Sequence, residues 1–295
     1  MTTTRRSGTL LGLTAYLMWG VFPLYWPLLK PASSIEILGH RVLWSFIFLA
    51  IYATIVRNWS EVRRVFGNAR KARLLAAAAV LVSINWGMYI WAVNAHHVVE
   101  TALGYFINPL VSVLFGVLLL KERLRRAQWV AIAIAAASVV VLAFDYGRLP
   151  WIALTLAISF GSYGLFKKLA GVDTFTSLTV ETACVAPLAL ALLVVQAARH
   201  DFTLFNEGAS HAVLLILTGA ITAIPLLFFG AAAHRVPLSA LGIMQYVAPT
   251  IQFLLGITVG KELMPSSRWI GFIGVWIALA VFTSSALRNR GSVDA

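Results

Sequence analysis

The chain is poor in charge, and poorest in acid. Of its 295 residues 12% are charged, and only 11 are aspartate or glutamate. A soluble domain carries about 25% charge, so a water-faced globule is excluded. Cysteine is nearly missing. Cys184 stands alone, which rules out an intrachain disulfide and a thiolate metal cluster. The chain has no Walker A loop, no His-Glu-x-x-His and no nucleophile elbow, which argues against an ATP-driven pump and against an intramembrane hydrolase. It also lacks linkers and low-complexity segments, so a separate soluble domain is not expected. What it has in abundance is apolar residues, 60% of the total, in long runs set between clustered charges.

A run of about 20 apolar residues at 1.5 Å rise crosses a bilayer core of roughly 30 Å. Ten such runs are predicted, over residues 8–29, 34–56, 72–94, 98–120, 127–144, 150–166, 174–197, 212–233, 237–260 and 268–287. The fold class is therefore all-α integral membrane. Arg5-Arg6 before an apolar stretch mimics a signal peptide. The stretch stays apolar and aromatic to Leu29 without a small-x-small cleavage site, so it is read as the first anchor. With the N-terminus inside, seventeen of the 23 lysines and arginines fall in cytoplasmic segments and five outside, with Arg41 inside a span. That bias places both termini in the cytoplasm and supports an even number of spans. It also accounts for the net charge of +12 without nucleic acid as a partner.

The chain is written twice. Ala102-Leu103-Gly104 returns as Ala240-Leu241-Gly242, Pro109 as Pro249, and Lys121-Glu122 as Lys261-Glu262, the last two at an offset of 140. Thr14, Trp19-Gly20 and Leu24-Tyr25 match Thr155, Phe160-Gly161 and Leu165-Phe166 at 141. The repeats are expected over residues 1–145 and 146–295. Five spans is an odd number, so the second copy enters the membrane upside down. Inverted repeats point to an alternating-access transporter with its site near the midplane.

Several segments carry a resemblance. They are Ala15-Tyr16-Leu17-Met18-Trp19-Gly20, Phe22-Pro23-Leu24-Tyr25-Trp26, Glu36-Ile37-Leu38-Gly39-His40-Arg41, Asn85-Trp86, Tyr89-Ile90-Trp91-Ala92-Val93-Asn94, His96-His97, Leu238-Ser239 and Gln245-Tyr246. Together they resemble the RarD branch of the EamA-type drug/metabolite transporters across essentially the whole chain. The resemblance implies a ten-span inner-membrane permease of two inverted five-span repeats. Spans 1–4 and 6–9 would surround a cavity, with spans 5 and 10 behind. Members are often labelled chloramphenicol-sensitivity proteins. The resemblance supplies no catalytic motif, so the site is read from the residues themselves.

A charge within a span is costly and faces a cavity or a partner. Glu36 and His40 share a helix face at i,i+4. Arg41 and Glu181 differ by 140, the repeat offset, and carry opposite charge. They are expected to pair directly or through substrate, or else each to make its own contact within its half. Glu181 is also the coupling candidate, as a proton carrier raised in pKa by burial or as a permanently ionised group held by arginine. Rings and amides complete the expected substrate-binding set, which is Trp19, His40, Arg41, Asn85, Tyr89, Tyr105, Asn108, Glu181, Gln245 and Tyr246. Such a set suits an amphipathic or amino-acid-like organic solute. Interhelical packing is the competing reading for each member. His97 and Glu100 have the spacing of metal ligands but no third ligand, so neither metal nor cofactor is expected. Small residues at Ala131–Ser138 and Gly271-x-x-Gly274 are read as scaffold or dimer seams in the fifth and tenth spans, which leaves a monomer or a homodimer through them. Besides the solute, membrane lipid is the expected partner. The expected function is secondary-active transport by alternating access. The alternative is a membrane-embedded enzyme or scaffold acting on lipid-linked substrates.

Overall fold

A computed structural model describes residues 3–121, 126–233, 235–236 and 244–288. The described residues are helical, without strands. In chain order the helices are α1 (Thr3–Gly20), α2 (Phe22–Tyr25), α3 (Ser34–Ile55), α4 (Trp59–Phe66), α5 (Ala69–Asn94), α6 (Val98–Leu120), α7 (Arg126–Tyr146), α8 (Trp151–Ala170), α9 (Thr174–Ala198), α10 (Ala209–Ala233), α11 (Val247–Thr258) and α12 (Ser266–Arg288). Seven of them (α3, α5, α6, α7, α9, α10 and α12) are long and apolar enough to cross a membrane. Arg6–Gly20 with Phe22–Leu29, bent by 41°, makes an eighth. Outward-facing Leu188, Leu190 and Val194 on α9 and Ile270, Ile273 and Ile277 on α12 are exposed, as lipid contact requires.

The sequence explains most of the helix ends. Pro23 and Pro27 lack the amide that continues an α-helix. The first span therefore breaks at Val21 and runs on as α2 and a 3-10 turn over Trp26–Leu29. Ser33 caps α3 by accepting from the Glu36 amide at 3.1 Å. Asp173 caps α9 by accepting from the Thr176 amide at 2.9 Å. These caps lie 140 residues apart. Lys121, the C-cap of α6, takes positive φ, where a helix ends by turning left-handed, and Lys261, 140 residues on and three past the end of α11, takes positive φ as well. The ninth expected span begins, among the described residues, at Val247, so Pro249 sits in the first turn of α11 rather than kinking its middle. Glu122 and the segments Ala240-Leu241-Gly242 and Leu238-Ser239 lie outside the described residues. The short α4 was not expected. It buries Val62 and Val65 and is tied to α9 by Asn58 Nδ2 donating to Thr176 Oγ1 at 2.9 Å.

Helices pack chiefly on the other half of the chain. α7 lies along α12, α3 on α9, and α6 on α11. The remaining large contacts come in matched pairs: α5 on α8 with α10 on α1, α6 on α8 with α11 on α1, and α3 on α10 with α9 on α5. Exchanging the halves leaves this pattern unchanged. Glycines set the closest approaches. A Cβ on Gly20 would strike Ile251, and one on Gly161 would crowd Val111. The two glycines are 141 apart and their partners 140 apart. The small residues of α12 lie within the chain as well, with Gly271 against Leu142 and Gly274 against Ser138 of α7.

Candidate functional site

Arg41 is eight residues past its cap, about 12 Å along α3, and only 3% exposed. Its Nε donates to Thr222 Oγ1 of α10 at 2.8 Å. The guanidinium lies 4.2 Å from the Trp86 ring centre, 4.9 Å from Trp26 and 5.8 Å from Phe22, in cation–π range. Tyr105 and Tyr89 are its electrostatic neighbours. Asn85 of α5 fastens the adjacent seam. Its Nδ2 donates to the Leu156 carbonyl at 3.0 Å and to Ser159 Oγ at 3.1 Å, both on α8, and its Oδ1 accepts from Tyr105 at 3.1 Å. Tyr89 meets Tyr105 edge to face at 5.6 Å. The hydroxyl of Tyr89, Nη1 of Arg41, Nε1 of Trp26 and Oδ1 of Asn108 are buried without a hydrogen-bond partner among the described residues.

Glu181 stands eight residues past Asp173 in α9, but its partner is not Arg41. Lys167 Nζ lies 3.1 Å from its Oε1, and Tyr163 donates to its Oε2 at 3.1 Å. Lys167, assigned to a cytoplasmic segment from sequence, is the counter-ion within α8. Of the alternatives expected for Arg41 and Glu181, a direct pair is not formed: Glu181 finds its partner within its own half, whereas Arg41 reaches across to Thr222 in the other. The two arrangements are related. At the first-span offset of 141, Phe22 matches Tyr163 and Trp26 matches Lys167. At 140, Arg41 matches Glu181. One half surrounds its charge with a hydroxyl and a cation, the other with two apolar-faced rings.

The other expected residues are dispersed. His40 Nδ1 accepts from Trp44 Nε1 at 3.2 Å, its Nε2 lies 3.7 Å from Glu36 Oε1, and its ring stacks on Phe202. Glu36 accepts from the Thr203 amide at 2.7 Å and from its hydroxyl at 3.1 Å, so Glu36 and His40 staple the loop ahead of α10. Trp19 packs on Tyr16 and Phe229, and its carbonyl accepts from Gln252 at 3.0 Å. Gln245 and Tyr246 are half-buried, with Tyr246 beside Thr283 of α12, toward the scaffold rather than the arginine. The structure therefore gathers Arg41, Asn85, Tyr89 and Tyr105, with Asn108 beside Gly161 on the same seam. Sequence reasoning missed Trp26, Thr222, Tyr163 and Lys167. The last two are legible as an i,i+4 pair, whereas nothing local marks Thr222.

A second polar group occupies the other end of α6. A cavity of about 450 Å³ is lined by His97, Glu100, Arg148, Glu262 and Arg268 among others. Glu100 pairs with Arg148 at 2.7 Å and accepts from the Ile152 amide at 3.3 Å. Three of its roughly four lone-pair sites are occupied, which weakens the metal reading of His97 and Glu100. Asp145 holds Arg268 at 2.8 Å and accepts from Ser267. Glu262, from the loop before α12, accepts from the Val98 amide at 2.5 Å and the Val99 amide at 3.1 Å, so it caps α6 from a distance. Burial raises its pKa from 4.5 to about 7, against the opposing pull of these amides and of Arg268. A carboxyl raised on folding holds a proton that the unfolded chain releases, so its contribution declines as pH rises from 4.5 through about 7. Relative to Glu262→Gln, the unfolding temperature of the native chain is expected to fall between about pH 5 and pH 8. Parallel curves over that range would remove Glu262 from the titration.

Known proteins are similar to this chain over nearly its whole length. A model of the EamA-like transporter family matches residues 6–144. The chain is 52% identical over 285 residues to Protein RarD of Streptomyces exfoliatus, covering 97% of this chain and 90% of the relative. It is 42% identical to Protein RarD of Escherichia coli K12, covering 97% and 96%. It is 31% identical to the Chloramphenicol-sensitive protein RarD of Pseudomonas aeruginosa, covering 92% of each. A solved crystal structure, 21% identical, superposes with a TM-score of 0.59 over 96% of this chain and 99% of that one, so the fold is shared with it. Near-complete coverage on both sides, together with apolar helices long enough to span a bilayer, leads to one assignment. The chain belongs to the RarD branch of the EamA-like transporter family and is a multi-pass bacterial membrane transporter.

Proposed function

We propose that the chain is a secondary-active carrier of a small amphipathic or amino-acid-like organic solute, working by alternating access. Its ten spans would form two inverted five-helix repeats, residues 1–145 and 146–295, with both termini cytoplasmic. The exchange-related packing, the caps and left-handed turns 140 residues apart, and the inward bias of basic residues support this arrangement. The observation that carries the reading is where the polar side chains are satisfied. Arg41 bonds to α10 and Asn85 to α8, so the first half's buried polar groups face the second half across a seam. A seam between two repeats is where a carrier opens by rocking. Glu181 is the coupling candidate, because a proton taken up there would weaken its hold on Lys167 and Tyr163 together.

Proteoliposomes bearing the purified chain and loaded with a bacterial metabolite extract test this. Protein-dependent exit of a subset of solutes is expected. External addition of a released species should accelerate exit of its labelled form, the counterflow that a carrier alone shows. Chemical turnover without vectorial movement would replace the carrier with a membrane-embedded enzyme.

A further inference from the structure

Six carboxylate, histidine, lysine or arginine side chains are buried among the described residues: Glu36, His40, Arg41, Glu100, Glu181 and His211, the last hydrogen-bonded to Thr203 at 2.7 Å. Four are matched, Glu36 with His40, Glu100 with Arg148, and Glu181 with Lys167. Arg41 forms no ion pair among the described residues. A guanidinium remains charged at any physiological pH, and a buried charge without a counter-ion is strongly unfavourable. Its one hydrogen bond goes to a neutral hydroxyl, and the facing rings offset only part of the cost of burial.

The internal repeat sharpens the point. In the second half, the position that holds Glu181's counter-ion is Lys167. The matching position in the first half is Trp26, whose ring lies 4.9 Å from the guanidinium and bears no negative charge. Trp26 and Tyr89 belong to one buried cluster, and each has a polar atom without a partner there. Three hydrogen-bond donors within one set of packed rings, Arg41 Nη1, Trp26 Nε1 and Tyr89 OH, thus lack an acceptor among the described residues. A carboxylate offers about four lone-pair sites and one negative charge, and it suits arginine geometry. The flanking Phe22 and Trp86 would take an apolar body.

We infer that Arg41 is the recognition point for the carboxylate of the transported solute, which supplies the counter-ion that no described residue provides. This rests on the carrier reading for its access route, since Arg41 is sealed in the present conformation and the repeats must part to admit a ligand. Tyr89 is the second recognition residue through its hydroxyl, and Trp26 the third through its indole N–H.

The test is binding by the full-length detergent-purified chain, read as a saturable rise in unfolding temperature. The probes are 3-phenylpropionate and hexanoate, each compared with its primary amide and with the matching amine. The carboxylates should stabilise the native chain, the amides and amines should not, and Arg41→Gln should abolish the response. Tyr89→Phe deletes only a hydroxyl that has no hydrogen-bond partner among the described residues, so it should fold as the parent does while half-saturation shifts about tenfold upward. That variant keeps the inference testable should Arg41→Gln fail to fold. Equal stabilisation by the amides, stabilisation by the amines alone, undiminished carboxylate binding in either variant, or no response to any carboxylate would overturn it. The transport assay separates this inference from the carrier reading. Carboxylate binding through Arg41 without vectorial movement would leave the recognition site standing and the carrier fallen. Counterflow of solutes without an anionic group would do the reverse.

Discussion

Gly219→Ala is expected to lose most of its folded, monodisperse yield. A Cβ at this position would stand 2.5 Å from the carbonyl oxygen of Trp44 and 2.7 Å from the Ser45 amide nitrogen, with the Trp44 carbonyl carbon closer still. These are backbone atoms and cannot rotate away, so α3 and α10 would have to separate. Overpacking of this kind costs about 3 kcal/mol or more, a large fraction of the stability of an ordinary domain. The damage would not be local. Gly219 and Thr222 lie on one face of α10, as do Trp44 and Arg41 on α3, so the close approach is also what brings Thr222 to Arg41. Gly164→Ala in α8 is the control, because nothing lies within 4 Å of its Cβ, and a gain of up to about 1 kcal/mol in helix propensity is expected there. Thermal unfolding of both variants in one detergent decides it. A Gly219→Ala protein as stable as its parent would mean that the two helices do not touch as described.

Lys167→Met is expected to carry the second large effect. It removes the cation 3.1 Å from a carboxylate that is 1% exposed and leaves it the neutral hydroxyls of Tyr163 and Ser177. Removing one member of a buried pair costs about 3–5 kcal/mol, because the remaining charge stays desolvated. Lys167 retains 20% side-chain exposure, so solvent screening places the loss near the lower end of that range. Lys167→Met combined with Glu181→Gln should recover more than half of it, since no bare charge then remains. The double-mutant cycle measures the coupling directly. Additive losses would show that the lysine and the glutamate do not act as a pair.

These two residues show where the sequence is readable and where it is not. A residue's interval in the repeat is a one-dimensional property, so the match of residue 41 to 181, and of 121 to 261, was legible before any fold. So was the cost of placing a charge in an apolar run, which marked Arg41 and Glu181. Their partners were not legible, because a counter-ion comes from whichever side chain the packing brings near, and Lys167 lies close enough to a helix end to pass for a loop cation. Asn85, Tyr89 and Tyr105 were expected together and are together, since α5 and α6 pack side by side against α8. Tyr246 carries the same aromatic and polar marks but faces α12. Sequence shows that a ring is present, not which side of its helix meets a neighbour.

By itself, then, the order of residues determined the helical class, the spacing of the apolar runs, the residues that recur at an interval of 140 and the few charges that break the apolar pattern. All of these depend on composition, periodicity and chain interval, which need no knowledge of distant contacts. Tertiary structure alone decided that the halves interleave, that Glu181 finds a lysine while Arg41 finds, among the described residues, only rings and a hydroxyl, and that Glu262 caps a helix more than 160 positions away. Each of these depends on the approach of surfaces remote in the chain, set by glycines and ring shapes acting at once, and no local stretch encodes it.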